Sequence, residues 1–362
     1  MKEELNRYTS LPTQEERETL ERYLAASRTP LLFGHISPDG DSVGSVLAML
    51  HLLRNRGKKP IATMAGHIPN TLTWLPANEE ILMMVGNDYP PQLDKAFKEA
   101  DLLIALDFNL PSRTGKVMVE KITKALKERP RPFIAIDHHE SPSSEFDFII
   151  SKPDAAATAE LVTELFRDNL NEKGEREITP EIATCLLTGI ITDTGLFNHS
   201  SSYPAIFEAT ADLLRCGADK TKIVNKVYHS FSPDRFRLEG FVRYEKIVFD
   251  NQLKTAYFSL SLDEQKQYKV LPGDTEGLVN IPLDVEGVEI SAFFKETLYE
   301  GIKVSLRSKG NLIVNDIAKE VFGGGGHIFA AGAEYEGSIE GAIALFLEYL
   351  HTHKITEIEK TH

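Results

Sequence analysis

Apolar residues in this chain follow two patterns that alternate. Short unbroken apolar runs, Pro30-Leu31-Leu32-Phe33, Leu102-Leu103-Ile104-Ala105-Leu106 and Phe133-Ile134-Ala135-Ile136, have the length and composition of strands buried on both faces. Between them apolar positions recur at helical spacing. Residues 10 to 27 read as an amphipathic helix, and Ser42 to Leu50 as a second helix that opens with small residues. The alternation continues to about residue 195, which predicts a mostly parallel sheet with helices on both faces.

The pattern then changes. Helical spacing around Phe207 to Leu214 and Thr221 to His229 leads into a stretch rich in Arg and Glu that opens at Pro233. Beyond Lys246 the chain becomes strand-rich, with runs over Lys254 to Leu260, Val288 to Lys295 and Ile302 to Arg307, and a last helix over Ser338 to His351. The expected fold class is α/β in three parts: a sheet domain over 1–204, a helical connector over 205–245, and a smaller α/β domain over 246–362.

Composition narrows the partners. The net charge of −14 is the reverse of what gripping a long duplex requires, because phosphate neutralisation supplies most of that affinity. An anionic substrate is therefore expected to be small, and long duplex DNA is excluded as a partner. No apolar run approaches the ~18 residues of a membrane span, and Met1-Lys2-Glu3-Glu4-Leu5 has mixed charge with no apolar core of a secretory leader. Cys185 and Cys216 lack metal-ligand spacing and are too few for a disulfide framework. These features together lead us to expect a cytoplasmic location without a membrane partner.

Four acidic and histidine clusters carry the chemistry: His35-x3-Asp39-x-Asp41, Asp107, Asp137-His138-His139, and Asp193. Three of them follow directly on the three apolar runs, and ligands of open α/β sheets bind beyond the carboxyl ends of the strands. The loop Ser37-Pro38-Asp39-Gly40-Asp41 holds Pro and Gly, so it can turn tightly and aim its carboxylates apart. Any one of these residues alone would pass as a turn former, a helix cap or a core histidine. Arriving together at one rim, they supply enough donors for two cations ~3.5–4 Å apart with one shared Asp. Hard oxygen donors with a few imidazoles suit Mn²⁺ or Mg²⁺.

The clusters resemble the motifs of the DHH phosphoesterase superfamily, named for its Asp-His-His triplet. The first motif matches at His35, Asp39 and Asp41, the second at Asp107, the third at Asp137 to His139, and the fourth at Asp193 in Thr192-Asp193-Thr194-Gly195. The resemblance implies two Mn²⁺ ions, with Mg²⁺ as the alternative. His35 and Asp39 would hold one, Asp41, His138 and Asp193 the other, and Asp107 would bridge them. It makes Asp107, His138 and His139 the catalytic candidates, with His139 facing the phosphate and Asp137 orienting its neighbours. Every metal position is filled, so a non-catalytic nucleotide-binding protein on this scaffold is the reading ranked last.

The stretch Gly323-Gly324-Gly325-Gly326-His327 with Ala330-Ala331-Gly332 resembles the DHHA1 domain that follows the DHH domain in one branch of the superfamily. Its glycines leave backbone N–H groups open to a phosphate. In Lys303-Val304-Ser305-Leu306-Arg307, strand alternation puts Lys303, Ser305 and Arg307 on one face. Substrate-binding candidates are accordingly Lys303, Arg307, Gly324, Gly325, Gly326 and His327, with Arg113 in the loop after Asp107. The branch implied hydrolyses short oligoribonucleotides to 5′-mononucleotides (a nanoRNase) and removes the 3′-phosphate of pAp. The alternative is a phosphodiesterase of pApA or cyclic di-AMP. Short RNA and pAp are the expected partners, and a homodimer is compatible with the chain.

Overall fold

Every residue of Leu102–Leu106 is buried, as is every residue of Pro30–Phe33 and Phe133–Asp137. Burying each Leu, Ile or Phe there contributes about 1.5–3 kcal/mol. A computed structural model describes residues 11–86, 88–298, 301–309 and 312–353. The chain forms two units that divide between Ser230 and Phe231.

The first unit contains α1 (Gln14–Ala26), β1 (Pro30–Phe33), α2 (Gly40–Asn55), β2 (Ile61–Ala65), β3 (Leu82–Met84), α3 (Gln92–Glu99), β4 (Leu102–Leu106), α4 (Lys116–Glu128), β5 (Phe133–Asp137), β6 (Phe148–Ser151), α5 (Thr158–Phe166), α6 (Pro180–Asp193), α7 (Pro204–Arg215) and α8 (Lys220–Tyr228). The helix expected from residue 10 starts at Gln14, where Thr13 and Glu16 form a capping box. The strands form one six-stranded parallel sheet in the order β3-β2-β1-β4-β5-β6. Alternate residues along each strand go to opposite faces. Leu32, Ile104 and Ile134 join α1, α2 and α5 to α8 in one core, while Leu31, Phe33, Leu103 and Phe133 join α3 and α4 in the other. The strand order reverses between β1 and β4, where open α/β sheets place their ligand.

Two glycines let α2 and α6 approach closely enough to bring the acidic ends of both to that point. A Cβ on Gly44 would stand 2.5 Å from the Cys185 carbonyl oxygen. One on Gly189 would stand 2.6 Å from the Ala159 Cβ and 2.7 Å from Asp41 Oδ1.

The second unit holds α9 (Pro233–Phe241), which runs into a π turn over Val242–Lys246, then β7 (Val248–Asp250), β8 (Thr255–Leu260), α10 (Leu262–Gln267), β9 (Ile290–Glu296), β10 (Ile302–Ser308), α11 (Asn315–Phe322), β11 (Gly325–His327), β12 (Ala330–Tyr335) and α12 (Ile339–Thr352). Its sheet runs β11-β12-β10-β9-β8-β7 and is antiparallel except between β8 and β9. One face packs on α11 and α12, with Phe294 and Phe346 at the centre. The residues read as a connector, 205–245, divide between the units. Ile206, Leu213, Ile223 and Val227 of α7 and α8 enter the first unit's core, and Leu238 of α9 enters a core of the second. Their apolar stripes are wide enough to pack, which a free connector would leave in water. Among the described residues no helix is long and apolar enough to cross a membrane.

Candidate metal centre

β1, β4 and β5 end side by side, so the segments after them share one rim. Asp39 caps α2, its Oδ1 accepting from the N–H groups of Asp41 and Ser42 at 3.1 Å each. Its Oδ2 is left to face His35 Nε2 at 3.6 Å. Asp107 lies just past β4 with φ of 68°, a left-handed conformation that Asp tolerates better than most residues. Its carboxylate stands between two imidazoles. Oδ2 lies 3.5 Å from His35 Nε2, and Oδ1 lies 3.5 Å from His138 Nε2. Asp193, the last residue of α6, places Oδ2 3.3 Å from the same His138 nitrogen, and Asp41 Oδ2 is 3.9 Å from it.

Backbone carbonyls set both imidazoles. His35 Nδ1 pairs with its neighbour's carbonyl at Ile36 at 2.8 Å, and His138 Nδ1 with the Ala155 carbonyl at 3.1 Å. A carbonyl only accepts, so Nδ1 carries the hydrogen and Nε2 turns to the carboxylates, the arrangement metal-ligating histidines usually show. His139 is oriented differently. Its Nδ1 donates to Asp137 Oδ1 at 2.7 Å, and its backbone N–H donates to Oδ2 at 3.0 Å. Asp137 is fully buried and occupied with its neighbour.

The structure therefore brings His35, Asp39 and Asp107 together as one donor group, Asp41, His138 and Asp193 as a second, and Asp107, His138 and His139 as a third, each with ligand atoms within 4.8 Å of one another. The electrostatics of this set call for positive charge. Burial, then the charges of Asp107 and Asp193, push the Asp41 carboxyl well above the usual carboxylate range. Burial opposes a charge on His35, yet Asp39 and Asp107 carry its pKa up to about 10. His138 is likewise carried up to about 10 against burial, by Asp193, Asp107 and Asp41. Nitrogen-to-oxygen separations of 3.3–3.6 Å exceed the ~2.7–2.9 Å of a charge-assisted hydrogen bond and leave room for an ion between the atoms. The donor set fits a divalent cation. His139 moves the other way: burial and the charges of His138, Arg113 and His35 hold its pKa well below the usual value.

Arg113 lies in a short helical turn, Pro111–Thr114, whose Arg113 carbonyl accepts from the Ile36 N–H at 2.7 Å. Its charge also opposes the rise of the Asp137 pKa, which burial takes to about 6. The remaining candidates belong to the second unit. On β10, Lys303 is exposed and Ser305 and Arg307 are half-buried, while Ile302, Val304 and Leu306 face the core. Arg307 shares a row across the sheet with Ala330 and His327, and Ser305 shares one with Gly332 and Gly325. Gly324 precedes β11, its N–H bonded to the Ala318 carbonyl, and Gly326 has φ of 145°, open to glycine and little else. The His327 side chain lies outside the described residues.

Comparison with known proteins follows the same division. Residues 30–190 match the model of the DHH family, N-terminal domain, and residues 253–352 match the DHHA1 domain. The bifunctional oligoribonuclease and PAP phosphatase NrnA of Thermus thermophilus is 34% identical over 304 residues, 84% of this chain and 83% of its own. The chain belongs to the DHH–DHHA1 family. A crystal structure of an exopolyphosphatase-related protein from Bacteroides fragilis superposes with a TM-score of 0.83 at 33% identity, over 94% of this chain and 96% of that one. The cyclic-di-AMP phosphodiesterase PdeA of Listeria monocytogenes is 26% identical over 88% of this chain, which spans 46% of that relative.

This DHH–DHHA1 protein also uses groups that its motifs do not announce. The Ile36 and Ala155 carbonyls set the tautomers of two histidines, and a backbone carbonyl has no sequence signal. Thr158 is fully buried at the start of α5 and touches two of the clustered carboxylates. The Ala-Ala-Ala-Thr-Ala-Glu run around it reads only as the start of a helix.

Proposed function

We propose that the protein is a metal-dependent phosphoesterase that hydrolyses short oligoribonucleotides to 5′-mononucleotides and removes the 3′-phosphate of pAp. One observation supports it most: the two oxygens of Asp107 each stand 3.5 Å from a different imidazole Nε2, so one carboxylate serves two donor groups. The name of the Thermus relative supplies the substrate class.

Two Mn²⁺ ions, held by His35 and Asp39 on one side and Asp41, His138 and Asp193 on the other with Asp107 shared, would supply Lewis acidity and a water of lowered pKa. The chain's own groups do the rest. With Nδ1–H committed to Asp137, His139 has Nε2 as the atom that can hold or pass a proton at the leaving ribose oxygen. Asp137 fixes the ring's orientation and stabilises it when charged. The Arg113 guanidinium, whose charge bears on both Asp137 and His139, would bind a non-bridging phosphate oxygen. In the second unit Lys303, Arg307 and the stretch from Gly324 to His327 are the proposed substrate-binding groups.

The test is product analysis with Mn²⁺ on pAp, pApA, an RNA pentamer and cyclic di-AMP in separate reactions. Mononucleotides from pApA and the pentamer, with AMP from pAp, are expected. Cleavage of cyclic di-AMP with the pentamer left intact would overturn the assignment in favour of the activity named for the Listeria relative.

A further inference from the structure

Asp41 and Asp107 belong to different donor groups, come from different elements, and are both held by one uncharged residue. The Thr158 N–H donates to Asp41 Oδ2 at 2.6 Å, and the next amide, Ala159 N–H, donates to Asp41 Oδ1 at 2.8 Å. The Thr158 hydroxyl donates to Asp107 Oδ1 at 3.1 Å. The first amides of a helix have no partner within it, and the N-cap of α5, Ala157, has no side chain to offer them. Asp41 takes the place of that cap from a distance of 117 residues in sequence. Its oxygens therefore sit at the positive end of α5, which favours the ionised form that a bound cation needs.

The hydroxyl has a different effect from the amides. Asp107 Oδ1 is the oxygen nearer His138, and Oδ2 the one nearer His35. Apart from imidazoles, among the described residues the Thr158 hydroxyl is the side-chain donor that Asp107 has. A hydrogen bond to Oδ1 fixes the rotation of the carboxylate about its Cβ–Cγ bond. It thereby fixes where the remaining lone pairs of both oxygens point. Thr158 itself is fully buried, so its hydroxyl cannot turn to water instead.

We infer that Thr158 is a positioning residue that orients the shared carboxylate of Asp107 and ties it to Asp41, setting the geometry between the two donor groups. The inference rests on the reading of the cluster as a divalent-cation site. Its test uses cation uptake, which needs no substrate. Thr158→Val keeps the shape and the backbone N–H to Asp41 and removes only the hydroxyl. Partners of this kind cost ~10- to 100-fold in metal affinity when lost. Calorimetric titration of the full chain with Mn²⁺ is therefore expected to show a Kd raised about tenfold or more in Thr158→Val. Thr158→Ser, which keeps the hydroxyl, should bind within about threefold of the parent, and both variants should keep the parent's far-UV spectrum.

Unchanged Mn²⁺ affinity in Thr158→Val overturns the inference. So does an equal loss in Thr158→Ser, which would make the methyl's packing the cause. Should Thr158→Val fail to fold, Thr158→Ala, which also lacks the hydroxyl, takes its place, and a Kd within about threefold of the parent there overturns the role. A parent protein that takes up no Mn²⁺ would bring down the reading of the cluster, and the inference with it.

Discussion

The rim of the first unit and the β10–β11 face of the second treat charge in opposite ways. At the rim, Asp41 is 1% exposed, Asp107 2% and His138 5%, and each is held by a backbone or hydroxyl partner from another element. On the second unit's face Lys303 is exposed and Arg307 is half-buried, beside residues as small as Ala330 and Gly332. Isolated buried charges cost several kcal/mol each unless they are paired. A cluster that is mostly carboxylate thus makes sense around an ion of opposite charge and fixed size. Charges left near water cost little to keep and suit a ligand that arrives, reacts and leaves. On the function proposed above, the contrast separates groups that define a geometry from groups offered to a substrate.

Asp107→Asn is the strongest way to break that contrast. Asn keeps the size and tolerates the left-handed φ of this position, so the fold should survive while the shared charge is lost. Turnover of pApA should fall on the order of 10⁴-fold, the scale seen when one member of a catalytic unit is removed. Mn²⁺ uptake should fall with it. Substantial residual turnover would mean that Asp107 serves only one donor group. Arg307→Ala probes the other side at smaller scale. Loss of a charge-assisted hydrogen bond is worth ~1.5–3 kcal/mol, so KM for pApA should rise roughly tenfold or more. Mn²⁺ affinity and kcat should stay put. If cation uptake drops instead, Arg307 is part of the framework and the contrast fails.

What sequence alone made legible follows from the same distinction. Buried strands announce themselves by unbroken apolar runs, and residues at strand ends inherit their place from the sheet. The sequence pattern thus places His35, Asp39, Asp107 and His138 on one rim, where they lie together. The period of two put Lys303, Ser305 and Arg307 on one face, and the burial along β10 agrees. Contacts between distant helices were not legible. Gly189 matters because Ala159 and Asp41 press on it, and Thr158 because Asp41 lies 117 residues before it. Neither has a local pattern that differs from an ordinary helix. Residues 205–245 read as helical, and a related limit applies to them: amphipathic stripes say that a helix packs, and leave open which core it joins.

Glu164 supplies the smallest and most independent check, because it measures what a buried carboxyl costs in the first unit away from the clustered donors. It lies six residues, about 9 Å, along α5 from Thr158, and is 2% exposed. Arg167 Nη1 is 3.0 Å from its Oε1, close enough for an ion pair though not aligned as a hydrogen bond. Burial outweighs that neighbour and takes the Glu164 pKa up from 4.5 to about 7. A carboxyl whose folded pKa is raised holds a proton that the unfolded chain has already released. Its cost is absent below pH 4.5, grows as pH rises toward 7, and is complete above that. At about 1.4 kcal/mol per pH unit the cost reaches ~3 kcal/mol as an upper bound. Glu164→Gln should therefore match the parent's melting temperature at pH 4 and exceed it at pH 8, by roughly 2–4 °C per kcal/mol recovered for a unit of this size. Saturating Mn²⁺ should leave that difference in place, since Glu164 belongs to none of the donor groups. A difference that is flat with pH would show that Arg167 keeps Glu164 ionised, and that burial alone does not set the price of charge in this unit.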